Sequence, residues 1–183
     1  MITSIVLGII ALVSLYVIFW QGCLLFSIIL HAPTVYSNEN AIADALALAG
    51  LKKGERVMDL GCGNASSLII AAKKFGASGV GVEISPYCVI ASKLNIIRAG
   101  LSKDIKVHLG DFKKVEGELQ KADVVYLYLL ESGLKKIEPW FFRNLKKGAR
   151  VVSMSFKFTE HEPAKIIETK NLGRNTQVRL YLN

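Results

Sequence analysis

Charge is distributed along this chain in a way that places its two parts in different solvents. No Lys, Arg, Asp or Glu occurs from Met1 to Asn38, and all 23 basic and 15 acidic residues follow. From Ile2 to Leu30 the sequence is almost wholly apolar, with Gln21 the one strongly polar interruption. About 20 such residues suffice to cross a bilayer as a helix, which satisfies its own backbone hydrogen bonds. The run therefore predicts a retained transmembrane anchor over residues 1–31, with Trp20 and His31 near an interface. A cleavable signal peptide would have a basic start, a shorter apolar core and a small-residue cleavage site, and none is evident. Phe19-Trp20-Gln21-Gly22 before Cys23 also fits a lipoprotein signal poorly.

The net charge of +8 belongs entirely to the part beyond the anchor. Such a surface suits anionic lipid head groups, attracts nucleic acid, or is simply a well-solvated lysine-rich exterior. The three cysteines, Cys23, Cys62 and Cys88, are odd in number and lack metal-ligand spacing. A disulfide framework and a metal site are not expected, and a reducing compartment is the simpler reading.

Residues 32–54 form a lead-in. Pro33 ends the first helix, Ser37 is a candidate cap for a second, and Ile42, Ala43, Leu46 and Leu48 give that helix an apolar face that stops at Gly50. Residues 55–183 then alternate strand-like and helix-like runs. Strands are expected at Val57–Leu60, Gly79–Glu83, Ile105–Leu109, Asp123–Leu129 and Ala149–Ser155. Helices are expected at Ser66–Phe75, Pro86–Ala99 and Leu134–Leu145. This alternation argues for a parallel sheet with helices on both faces. Ala164–Thr169 and Gln177–Leu182, joined through Asn171-Leu172-Gly173-Arg174-Asn175, read as a closing antiparallel hairpin. The fold class is α/β: a doubly wound, seven-stranded mixed sheet preceded by one transmembrane helix.

Ligands of open α/β sheets bind beyond the carboxyl ends of the strands. The first strand delivers Asp59 and the turn Gly61-Cys62-Gly63, followed by a helix start whose free amide groups face the turn. The second delivers Glu83, placed to accept hydrogen bonds from a ribose diol. The third is followed by Gly110-Asp111-Phe112, a carboxylate for an amino group and a ring for a flat base. The dinucleotide fingerprint G-x-G-x-x-G is not met, because Ser66 stands three after Gly63.

The stretches VMDLGCG (57–63), GVGVEIS (79–85) and GDF (110–112) resemble the class I S-adenosylmethionine-dependent methyltransferases. That resemblance implies a Rossmann-like methyltransferase domain and S-adenosylmethionine as cofactor. Asp59, Gly61 and Gly63 would contact its methionine part, Glu83 its ribose, and Asp111 with Phe112 its adenine. Cys62 and Ile84 lie within the same motifs, Asn64 directly follows the first, and all three join the expected cofactor contacts. Tyr36 is either a cover for the ligand from the lead-in or a packing residue. Ala65 departs from the pattern, where a further glycine is common.

The membrane segment, the PTVYS lead-in, the DLG-x-G turn and SFKFTEHEP (155–163) are similar, more narrowly, to the membrane-anchored protein-lysine methyltransferases known from mitochondria. Those enzymes methylate lysines of the ATP synthase c subunit and the adenine nucleotide translocase. Leu130 and Lys157 stand where that family tends to have proline. The resemblance implies a lysine acceptor in a membrane protein, the bilayer as a partner, no nucleic acid, and a catalytic domain facing the cytoplasm, where the cofactor is supplied. The expected catalytic residues are Tyr128, aligning the amine, and Glu131, binding it or taking its proton; Tyr126 and Tyr128 also fit core packing. Phe156 and Phe158 either wall an alkylammonium channel or are buried against the sheet. A small-molecule or lipid methyltransferase and a non-catalytic cofactor binder stay open as alternatives.

Overall fold

In the computed structural model, residues 2–29 and 37–183 are described. Tyr36, His31 and Pro33 lie outside them. Helix α1 (Ile2–Ile29) is 28 residues long, about 42 Å at the α-helical rise, and its stretch Ile2–Cys23 has a mean hydropathy of 2.6. Length and composition suffice for a membrane crossing. The end of this stretch touches the rest of the chain, with the Trp20 and Tyr87 rings 6.3 Å apart.

The remaining elements are α2 (Glu39–Leu48), β1 (Arg56–Leu60), α3 (Ser66–Phe75), β2 (Ser78–Glu83), α4 (Pro86–Arg98) and β3 (Ile105–Leu109). They continue with a 3₁₀ turn (Phe112–Val115), α5 (Glu116–Leu119), β4 (Val124–Leu127), α6 (Glu131–Asn144), β5 (Arg150–Met154), β6 (Lys165–Asn171) and β7 (Arg174–Leu182). The seven strands are ordered β3-β2-β1-β4-β5-β7-β6. Strands β1 to β5 pair in parallel, and β7 pairs antiparallel with both β5 and β6. The chain reverses its direction of winding at β1, so the crevice beside β1 and β4 is where such a sheet takes a ligand.

Alternation along the strands separates two cores. Val57, Val124, Tyr126, Val152 and Met154 pack with α2 and α3 on one face, whereas Met58, Leu60, Val125, Leu127 and Val151 pack with Leu134, Ile137 and Phe141 of α6 on the other. Fully burying side chains of this size contributes about 1.5–3 kcal/mol each. Phe158, 2 % exposed, belongs to the second core, stacked on Phe141 at 5.7 Å, and Phe156 packs against the same cluster. Burial, one of the two readings open for these rings, is realised at Phe158, while Phe156 is half-buried.

Several boundaries differ from expectation for local reasons. Asn38, not Ser37, caps α2: its Oδ1 accepts from the Ala41 amide at 2.7 Å. Strand β4 stops at Leu127, so Tyr128 and Leu129 already belong to the loop over the sheet edge. Helix α6 begins three residues earlier than its apolar pattern, at Glu131, and carries Pro139 inside. At its middle Glu138, 2 % exposed, accepts from the amides of Thr159, Glu160 and His161 and from the His161 ring at 2.9 Å. These bonds hold the Glu138 carboxyl below its usual range although burial pushes the other way. They fix the segment after β5 onto α6.

The amino ends of the strands are joined by charge. Asp123 accepts from the Arg56 amide at 2.9 Å and pairs with Lys146, and Arg56 pairs with Glu118. Arg150 pairs with Glu55 at 2.6 Å and donates to the Ala49 and Gly50 carbonyls at 2.9 Å each.

Candidate active site

The cleft opens at the carboxyl ends of β1, β2 and β4 and encloses ≈ 370 Å³, a volume within the usual range for small-molecule sites. Its floor is the turn after β1. Gly61 (φ 84°) and Gly63 (φ 52°) take left-handed backbone that a side chain resists, and a Cβ on Gly61 would come 3.1 Å from Leu129 Cδ2. The Val82 carbonyl accepts from the Gly61 and Cys62 amides at 2.9 and 3.1 Å, which ties the turn to β2. Ala65 is the N-cap of α3 at φ 64° and ψ 21°, left-handed as well. The position where the resemblance expects a glycine thus has the left-handed backbone that glycine favours.

Asp59, next to last in β1, is 4 % exposed, and the Ser67 hydroxyl of α3 donates to its Oδ2. Burial raises the Asp59 carboxyl to about 7, the nearby Glu83 charge adding to the rise and the Ser67 bond opposing it. An acid held near neutrality under a glycine turn is suited to a ligand cation, whose arrival would favour the ionised form. Glu83 ends β2 and bridges back to the turn: Oε2 accepts from the Gly63 amide at 3.0 Å, and Oε1 from the Ile84 and Ser85 amides at 2.8 and 2.9 Å. Asn64 is held by Ser66, whose hydroxyl donates to Asn64 Oδ1 at 2.7 Å. Asp111 is exposed and caps the following 3₁₀ turn through the Lys113 amide at 2.9 Å, while Phe112 lies 5.8 Å from Trp140.

Asp59, Gly61, Cys62, Gly63, Asn64, Glu83, Ile84, Asp111, Phe112 and Tyr128 all line this one cleft. Within it Cys62 is turned toward the sheet. A Cβ built on Gly81 would lie 2.5 Å from its Sγ, and burial pushes the thiol well up. Glu131 is exposed at the first turn of α6 and is not a lining residue; Ser132, Gly133 and Lys136 are. Among the described residues, no group of three His, Cys, Asp or Glu side chains is placed to hold a metal.

Around Tyr126 and Tyr128, both named from the sequence, the fold gathers Ser37, Ser155 and Asn171, which sequence reasoning did not assign to the site. Tyr126 is 3 % exposed with its hydroxyl 3.3 Å from Ser37 Oγ, and burial keeps its phenol protonated by raising it far above its ordinary value. The Tyr128 hydroxyl lies 3.3 Å from Ser155 Oγ and accepts from Asn171 Nδ2 at 3.4 Å. Ser155 sits at φ 65°, and its carbonyl accepts from Arg179 at 2.8 Å. Asn171 also accepts from the Asn38 amide at 2.8 Å, linking the closing hairpin to the start of α2. The sequence marked Tyr128 but not its partners, and the turn signal at Asn171 is satisfied by a hairpin alone.

A parallel sheet closed by an antiparallel hairpin, with a glycine turn and carboxylates at three successive strand ends, defines the S-adenosylmethionine-dependent methyltransferases. The donor set fits that cofactor: Asp59 for a cation, Glu83 for a diol, and Asp111 with Phe112 for an aminated aromatic base. Over residues 59–165 the chain matches the ANTKMT methyltransferase domain, and it belongs to this family of S-adenosylmethionine-dependent protein-lysine methyltransferases. It is 31 % identical to a protein-lysine N-methyltransferase of Saccharolobus islandicus, over 83 % of this chain and 94 % of that protein. It is 30 % identical to the adenine nucleotide translocase lysine N-methyltransferase of mouse, over 75 % of this chain and 59 % of that one. The chain spans only 36 % of the length of the ribosomal protein L11 methyltransferase of Vibrio cholerae, to which it is 36 % identical over 110 residues. Among solved structures it resembles an RNA methyltransferase of Salinibacter ruber in complex with S-adenosyl-L-homocysteine, with a TM-score of 0.74, 30 % identity, and coverage of 81 % and 93 % of the two chains.

Proposed function

We propose that this enzyme is held in a membrane by α1 and methylates lysine side chains of a membrane protein. The observation that carries the reading is the joining, in one chain of this family, of an apolar helix able to cross a bilayer and a cleft with a polar acceptor side. S-adenosylmethionine supplies an electrophilic methyl group, and the protein's task is alignment and exclusion of water. Asp59 and the glycine turn hold the amino-acid end, Glu83 the ribose, and Asp111 with Phe112 the base. Tyr128, braced by Asn171 and Ser155, offers a hydroxyl to the incoming amine. Tyr126 stays protonated and is no base, and the acceptor ammonium has to lose its proton before attack. Confining enzyme and acceptor to one surface raises their effective concentration, and cofactor supply places the cleft on the cytoplasmic side.

The test is to incubate membranes containing the full chain with methyl-labelled cofactor and to separate protein, lipid and RNA. Label is expected on lysines of a membrane protein and is expected to vanish with Glu83→Ala. Label confined to lipid or to RNA removes the lysine-acceptor proposal. Release of α1 from the membrane by alkaline extraction removes the tether.

A further inference from the structure

The outward side of α4 is apolar at helical spacing. Ile90, Leu94 and Ile97 are 52, 47 and 64 % exposed, although the same helix already buries Cys88, Val89, Ser92 and Ile96 against the sheet. A helix with one apolar face needs one partner, and α4 has two such faces. The outer stripe starts at Tyr87, the residue that meets Trp20 of α1. It continues onto the neighbouring sheet edge, where Leu109 of β3 is 57 % exposed. Between α4 and β3 runs a shallow groove with Ile97 and Val107 in its walls and Lys93 and Lys106 among its lining residues. Lys93, Arg98, Lys103 and Lys106 are exposed, and Asp104 is the one carboxylate within residues 86–109.

We infer that the outer face of α4, together with the β3 edge, lies on the head-group layer of an anionic bilayer. This rests on the reading of α1 as a membrane anchor. Two observations select lipid over other occupants. The first is continuity: α1 delivers an interfacial-type residue, Trp20, directly to the first turn of α4, so the stripe begins at the level where the anchor leaves the hydrocarbon. The second is composition, since apolar side chains flanked by lysine and arginine are the pattern of helices that lie in a membrane interface. Strand β6 forms the opposite edge of the sheet, six strand spacings or about 29 Å away, and faces water. The cleft over β1 then stands two strands above the lipid, about 10 Å, where it meets lysines just outside the head groups.

The test uses the full chain reconstituted at one copy per nanodisc, with an environment-sensitive thiol probe. Native Cys23, Cys62 and Cys88 are buried, so labelling under native conditions favours an added surface cysteine. Probes go on Leu94→Cys, on Val13→Cys in α1, and on Glu168→Cys in β6, with nitroxide-bearing lipid as quencher. In discs containing phosphatidylglycerol the Leu94 probe is expected to be quenched severalfold more than the Glu168 probe, and to lose most of that difference in pure phosphatidylcholine. Strong quenching at Val13 with water-like emission at both Leu94 and Glu168 overturns the inference while leaving the anchor intact. No quenching at Val13 overturns the anchor itself, and the inference with it. Shielding of Leu94 that appears in detergent only as protein concentration rises assigns the face to a second copy and overturns the lipid assignment.

Discussion

Replacing Asp59 by asparagine tests how far the glycine turn has been prepared for a cation. The carboxyl is buried, and its folded value of about 7 stands against an ordinary 3.8. Between those values the folded chain binds a proton that the unfolded chain does not, so the stability of the cofactor-free protein falls as pH rises through the window. Applied from pH 5 to pH 8, the linkage amounts to about 3 kcal/mol from this one group. Asp59→Asn keeps the shape and an acceptor for the Ser67 hydroxyl but cannot titrate. Unfolding of the sheet domain in the full chain, in mild detergent, followed by near-ultraviolet circular dichroism at both pH values, is expected to show the variant gaining on the wild type by that amount. A cofactor that pairs only with ionised Asp59 is also expected to bind the wild type about 50-fold more tightly at pH 7 than at pH 5. Parallel pH slopes for the two proteins would refute the reasoning, because Asp59 would then be ionised throughout.

Gly81→Ala places a methyl group 2.5 Å from Cys62 Sγ and 2.9 Å from its Cβ, and is expected to destabilise the fold by about 1–3 kcal/mol and to weaken S-adenosylhomocysteine binding, measured by calorimetry, by displacing the turn. Glu138→Ala strands three backbone amides and is expected to cost about 3 kcal/mol, with faster hydrogen exchange at Thr159–His161. Because its carboxyl is held low, the Glu138 contribution is present above the carboxylate range and is lost as pH falls through it. Leu172 occupies φ 49° at the hairpin tip with 65 % exposure, so Leu172→Asn is expected to stabilise by about 0.5–1 kcal/mol, seen as a rise of about 2 °C in Tm.

The cleft floor was legible because its chemistry is local. Asp59, Gly61, Gly63 and Glu83 lie at the ends of short apolar runs, and a strand that ends must present its last residues at the sheet edge. The parallel pairing of the first five strands followed from their alternation with helices. Tyr128 was singled out from the sequence, but its bracing by Asn171 and Ser155 was not legible, since the separations are 43 and 27 and no periodicity reports such contacts. Glu131 was selected for its nearness in sequence to Tyr128. The chain turns into α6 at that point and directs Ser132, Gly133 and Lys136 to the cleft instead. Ser37 and Asn38 are both good caps by composition, and only the hairpin, whose Asn171 accepts the Asn38 amide, decides between them. Phe158 lies beyond the end of β5, and its burial in the second core depends on the segment that Glu138 pins onto α6.

The ion pairs at the amino ends of the strands give the two ends of the sheet unequal sensitivity to their surroundings. Arg56, Asp123, Lys146, Arg150 and Glu55 are partly exposed, and their attractions weaken as dissolved ions accumulate around them. At the other end Glu83 is held by three amides of its own backbone, which bulk ions screen far less. Concentrated salt is therefore a directional perturbant for this molecule: it loosens the base of the sheet first and leaves the cofactor cradle until last.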